Sequence, residues 1–226
     1  MHSIHARACA GAVAPTRIVL LPGAYQRASD LLQAGFGTAL SERRLPVDLT
    51  LVDLDFEYLM DPDACARLAA RVLAPARAEG CRRLLLAGIS LGGFQALDYV
   101  ARQGDPAHAV DAAAVDRPAV DGLCLLAPYL GTRLLLAEIT GAGGLDAWQA
   151  GELAQSDSER RVWRFIQSGC AGLPVFLGYG QADRFAAAHA LLAGRLGAGH
   201  VGRVEGAHDL PTWRTLWTKF LQREWP

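Results

Sequence analysis

Short apolar runs recur along the chain, at residues 17–21, 48–54, 83–87, 122–128, 173–179 and 200–204, separated by stretches with helical spacing. Ile18-Val19-Leu20-Leu21 and Leu84-Leu85-Leu86-Ala87 are apolar at every position. An alternating strand leaves one face wet, whereas a continuously apolar one is covered on both faces. Strand and helix in strict succession therefore predict an α/β fold, with an open, mostly parallel sheet, right-handed crossovers and helices on both faces.

The intervening segments read as helices. Ser29 is a candidate N-cap for one carrying Leu31, Leu32 and Phe36. Asp61 and Pro62 open a second, with Leu68, Ala69, Val72 and Leu73 on its apolar face, which Pro75 ends or kinks. A third follows residue 90 and turns Phe94, Leu97, Val100 and Ala101 to one side. The last runs over 211–224 with Trp213, Leu216, Trp217, Phe220 and Leu221 at helical spacing. Its aromatics permit a dimer contact, but core packing accounts for most of them, and the sequence does not set the oligomeric state. Residues 130–170 are too many for a simple crossover; Gly141-Ala142-Gly143-Gly144 divides them into two helical segments.

With 226 residues, 51% hydrophobic and 20% charged, the chain fits a single globular domain over 1–226. A formal net charge of -1 gives no basic surplus for a nucleic-acid partner. No apolar stretch reaches the roughly 18 residues of a membrane span. Residues 1–15 lack the apolar centre of a secretory signal and read as a loosely ordered lead-in. Cys9, Cys65, Cys81, Cys124 and Cys170 are scattered and odd in number, the pattern of reduced thiols in a cytoplasmic protein.

Ligands meet a parallel sheet at the carboxyl ends of its strands, so chemistry is sought in the loops that follow them. After the third run stands Gly88-Ile89-Ser90-Leu91-Gly92, a G-x-S-x-G pattern with strand-like residues before it and helix formers after it. That turn pushes the Ser90 hydroxyl into the open. A serine needs an adjacent base to act as a nucleophile near neutral pH. His208 lies just beyond the sixth run. His2 and His5 are in the lead-in, His108 follows the helix after Ser90, His189 falls inside a helix, and His200 begins a strand at the far edge. Asp183 follows the fifth run and is the candidate for orienting the imidazole. The loop after the fourth run, Ala127-Pro128-Tyr129-Leu130-Gly131, has no carboxylate, and Asp209 reads as the N-cap of the last helix. Backbone N–H groups of Leu91 and of Ala24, with Tyr25 as the next candidate, are placed to hold an oxyanion. Each feature also has a plainer reading: a glycine-rich turn, a surface histidine, an N-capping aspartate, a Pro-Gly turn.

With Ser90, Asp183 and His208 in that chain order, residues 17–226 resemble the α/β-hydrolase superfamily. The resemblance implies an acyl-enzyme mechanism without metal or organic cofactor, and a small lid or cap at 130–170. Many relatives carry a His-Gly run at the oxyanion loop where this chain has Pro22-Gly23-Ala24. The expected substrate is a carboxylic ester or thioester of small or medium size, a small-molecule acyl compound. Tyr25 and Tyr129 are candidate substrate contacts. Leu134, Leu135, Leu136, Ile139, Trp148, Trp163 and Phe165 either line an acyl pocket or, more often for such residues, pack the insertion's helices. An acyltransferase using the same three residues and a non-catalytic hydrolase-fold binding protein are the alternatives. A nucleotide-binding α/β protein is disfavoured, since neither G-x-G-x-x-G nor G-x-x-x-x-G-K-[ST] occurs at the required turn.

Overall fold

A computed structural model describes residues 2–9, 11–53, 63–103, 119–154 and 156–223. Leu54, the helix start at Asp61 and Pro62, His108, Glu224 and Trp225 lie outside the described residues. The strands are β1 (Ser3–Ala6), β2 (Thr16–Leu21), β3 (Val47–Val52), β4 (Arg83–Ile89), β5 (Gly122–Leu126), β6 (Val175–Gly180) and β7 (Val201–Val204). They form one sheet in the order β1-β3-β2-β4-β5-β6-β7. All neighbours are parallel except β1, which pairs antiparallel with β3, Ser3 opposite Val52 and Ala6 opposite Leu49.

The helices are α1 (Ala28–Gln33), α2 (Thr38–Glu42), α3 (Ala64–Leu68), α4 (Ala74–Ala78), α5 (Leu91–Gln103), α6 (Arg133–Gly141), α7 (Ser158–Gln167), α8 (Ala186–Ala193) and α9 (Leu210–Leu221). Side chains of the central strands divide by parity between two cores. Val19, Leu21, Leu86, Leu125 and Leu177 face one core, built with α3 to α8. Ile18, Leu20, Leu85, Leu126 and Phe176 face the other, built with α1, α2 and α9. Both faces are covered, as the continuous apolar runs require. Among the described residues no helix is long and apolar enough to cross a membrane.

Three local expectations need correction. The lead-in 1–15 is not loose throughout, because Ser3–Ala6 adds the antiparallel edge strand β1. Ser29 does not cap α1; Arg27 occupies that position, and its N–H donates to the Asp30 carboxylate at 2.8 Å. Pro75 neither ends the second helix nor simply kinks it. A π-helical turn, Ala69–Leu73, joins α3 to α4, with Pro75 in the first turn of α4. Proline lacks an N–H and its ring crowds the carbonyl four residues back, so a widened turn accommodates it.

In the 130–170 insertion, Gly143 and Gly144 have positive φ at the break between helical segments. Leu135, Ile139, Trp148 and Trp163 are buried in the first core, while Leu136 and Phe165 pack partly buried against it. The packing alternative holds for these six. Leu134 is 83% exposed.

Candidate active site

The site is assembled by loops at the carboxyl ends of β2, β4, β5, β6 and β7. Ser90 joins β4 directly to α5 with φ of +49°. A residue with a Cβ is strained in that region. Hydrogen bonds hold it there: Ser90 N–H donates to Leu126 O at 2.9 Å, and Ser90 O accepts from Tyr129 N–H at 2.8 Å and Phe94 N–H at 3.2 Å. The turn also passes close to the end of β2. A Cβ on Gly92 would stand 2.4 Å from Leu21 O, so only glycine fits.

His208 and Asp183 come together because the loops after β6 and β7 touch, Ala182 N–H donating to Gly206 O at 2.9 Å. Gly206 permits this with φ of +128°, and a Cβ there would strike the Thr212 side chain. His208 Nδ1 lies 2.8 Å from Asp183 Oδ2, and His208 Nε2 lies 3.0 Å from Ser90 Oγ. Asp183 Oδ1 accepts from Phe185 N–H at 2.8 Å. Its side chain has no exposed surface. Burial pushes the Asp183 pKa up, but the hydrogen bonds from His208 and Phe185 and the nearby imidazoles outweigh it, holding the carboxyl below its ordinary value. An ionised carboxylate only accepts, so the proton sits on Nδ1 and Nε2 is free to accept from the Ser90 hydroxyl.

Three residues that sequence spacing did not flag surround this arrangement. The rings of Phe185 and Trp213 both meet the imidazole edge-on, each with centroids 5.1 Å from it. Helical period reads Trp213 as core packing, and nothing in the spacing sets Phe185 apart. Beneath them His189 is fully buried, its Nε2 2.8 Å from Pro128 O. A carbonyl can only accept, so Nε2 carries the hydrogen. Burial holds the His189 pKa below the ordinary value. The bond anchors the corner whose next residue, Tyr129, donates to Ser90 O.

After β2, Gly23 O accepts from Gln26 N–H at 3.2 Å, and Gln26 Oε1 accepts from Gly23 N–H at 3.0 Å. Tyr25 sits in this turn with φ of +63° and is 90% exposed. A Cβ on Gly23 would come within 3.6 Å of Ser90 Cβ, so the turn lies against the elbow. Gly23 N–H is engaged by Gln26; the N–H groups of Leu91 and Ala24 have no acceptor among the described residues. Tyr129 is half-buried, and its hydroxyl donates to Glu159 Oε1 at 2.7 Å. Burial, and then that bond, push its pKa up. Its ring packs between Phe94 and Phe185. Asp209 caps α9, accepting from Thr212 N–H at 3.0 Å.

No protein-family model and no curated protein matches the sequence. Solved structures match most of the chain's length. FphF, a fluorophosphonate-binding serine hydrolase of Staphylococcus aureus, aligns over 94% of this chain and 84% of its own, with 13% identity and a TM-score of 0.61. The chain has the α/β-hydrolase fold. The esterase LipW of Mycobacterium marinum aligns over 96% of this chain and 74% of its own, with 20% identity and a TM-score of 0.58. Zea mays acyl-protein thioesterase 2 aligns over 97% of both chains, with 15% identity and a TM-score of 0.54.

Proposed function

We propose that the protein is a serine hydrolase that cleaves a small or medium carboxylic ester or thioester through an acyl-enzyme. One observation carries the reading: Ser90 Oγ, the His208 ring and the Asp183 carboxylate stand in line at 3.0 and 2.8 Å. His208 Nε2 takes the hydroxyl proton as Oγ attacks the carbonyl carbon. Asp183 keeps the proton on Nδ1 and stabilises the imidazolium that forms. The oxyanion accepts hydrogen bonds from the N–H groups of Leu91 and Ala24; one such donor typically lowers the barrier by about 3 kcal/mol.

As the tetrahedral intermediate collapses, the bond to the leaving oxygen or sulfur breaks and His208 gives it the proton. Water, deprotonated by the same imidazole, then attacks the acyl-serine and releases the acid. Orientation is supplied by Phe185 and Trp213, which limit rotation of the ring, and by the strained but well-bonded Ser90. The exposed Tyr25 and the ring of Tyr129 are substrate contacts at either side of the nucleophile. The 130–170 insertion is a cap fixed by its own buried packing. Trp163 Nε1–H donates to Leu130 O at 2.6 Å, and Arg161 lies 3.6 Å from the buried Asp98.

The test is turnover of short- to long-chain acyl esters and thioesters by the purified protein. The proposal requires release of free acid that ceases in Ser90→Ala. A folded protein that hydrolyses none of them contradicts it.

A further inference from the structure

Arg184 follows Asp183 directly, yet the two side chains point into different worlds. Asp183 is turned inward to His208, while Arg184 is exposed. Its guanidinium carbon lies 4.8 Å from the centroid of the Phe185 ring, the stacked arrangement that fixes an arginine in place without neutralising it. Several other arginines are neutralised by carboxylates: Arg77 by Asp121, Arg195 by Asp146, Arg160 by Glu138. Arg184 forms no ion pair among the described residues. Asp209, next to His208 in the chain, turns its carboxylate to the first turn of α9.

Its position relative to the chemistry follows from two ring contacts. Arg184 stands 4.8 Å from Phe185, and Phe185 stands 5.1 Å from His208; laid end to end, these keep the guanidinium within 9.9 Å of the imidazole. His208 is the group that must reach the leaving atom of a substrate. Phe185 packs edge-on against that imidazole, and Arg184 lies over the Phe185 ring. A spacer of a few bonds carries a charge from the scissile bond to the guanidinium.

We infer that Arg184 is a specificity-determining residue that selects esters or thioesters whose alcohol or thiol half bears an anionic group, a carboxylate or phosphate. This rests on the serine-hydrolase reading of the same site. The planar fork of guanidinium donors matches either anion in a two-point contact, and stacking on Phe185 reduces the entropy lost in forming it. Because the site is open to solvent, the gain is moderate and screened by salt.

The experiment compares kcat/KM for para-nitrophenyl acetate and for its ring-carboxylated analogue, in the wild type, Arg184→Gln and Arg184→Lys. The readout is the ratio of anionic to neutral substrate, which cancels any general loss of active enzyme. The ratio should fall about 5- to 20-fold in Arg184→Gln, recover in part in Arg184→Lys, and decline in the wild type as salt is raised. An unchanged ratio in Arg184→Gln, with both esters still cleaved through Ser90, overturns the role of Arg184 and leaves the hydrolase reading standing. Failure of the folded wild type to cleave either ester overturns both.

Discussion

His208 Nδ1 stands 2.8 Å from Oδ2 of Asp183, a carboxylate with no exposed surface whose other oxygen is held by Phe185 N–H. The pair fixes which imidazole nitrogen carries the proton. Asp183→Asn keeps the shape but offers an amide N–H2 toward Nδ1, favouring the wrong tautomer. The expected result is a fall in kcat of about 10³- to 10⁴-fold with little change in KM. Steady-state kinetics on an activated ester checks it; a loss below tenfold would contradict the role given to Asp183.

The aromatic clamp on His208 makes a separate prediction. Trp213 is buried and its indole N–H has no hydrogen-bond partner among the described residues, so Trp213→Phe removes an unsatisfied donor while keeping an edge-on ring. That variant should retain stability within about 1 kcal/mol and most of kcat. Trp213→Ala should cost about 3–5 kcal/mol and lower kcat, because both packing and ring support are lost. Urea unfolding and kcat for the two variants, measured side by side, separate the effects.

Gly92→Ala tests the elbow. Its Cβ would meet Leu21 O at 2.4 Å and Pro22 O at 2.5 Å, both backbone atoms that yield only if the turn after β2 moves. That turn carries Ala24, so the proposed oxyanion donor moves with it. The variant should lose about 1–3 kcal/mol of stability and at least tenfold in kcat. A fully active Gly92→Ala would show that the turn is not part of the machinery.

The sheet and the meeting of Ser90, His208 and Asp183 were legible because the signals are local. Continuous apolar runs mark β2 to β6, and a serine between glycines after a strand marks a sharp turn. β1 was not legible, since four residues with only Ile4 and Ala6 packed against the second core give no pattern until β3 offers a partner. The π-helical turn before Pro75 was invisible for a similar reason: proline signals disruption without saying which disruption is adopted. Phe185, Trp213 and His189 were read, where they were read at all, as helix residues. Their contacts to His208 and Pro128 depend on loops that meet only in three dimensions. Tyr129 reads in sequence as a candidate substrate contact, and only the fold shows its hydroxyl bonded to Glu159, a residue 30 positions away.

At the opposite end of the strands, Asp48 makes stability depend on pH. It is buried, accepting from Ala8 N–H at 2.9 Å and Ala14 N–H at 3.1 Å and facing Arg17 at 3.4 Å. Burial raises its pKa, but these partners outweigh burial and hold the carboxyl below its ordinary value. A depressed carboxyl contributes stability above its unfolded value of about 3.9, and the contribution is lost as pH falls through the folded value. Asp48→Asn should therefore cost about 2–4 kcal/mol near neutrality, with the gap to the wild type narrowing below about pH 4. Urea midpoints at neutral and acid pH decide it; a gap independent of pH would contradict the account.

The central claim is that His208 activates Ser90, and covalent labelling tests it most directly. The folded protein is treated with a fluorophosphonate probe and the adduct is mapped by mass spectrometry, in the wild type and in His208→Ala. The account predicts a single adduct on Ser90 that disappears in His208→Ala. No adduct on the folded wild type, or one on another residue, would contradict it.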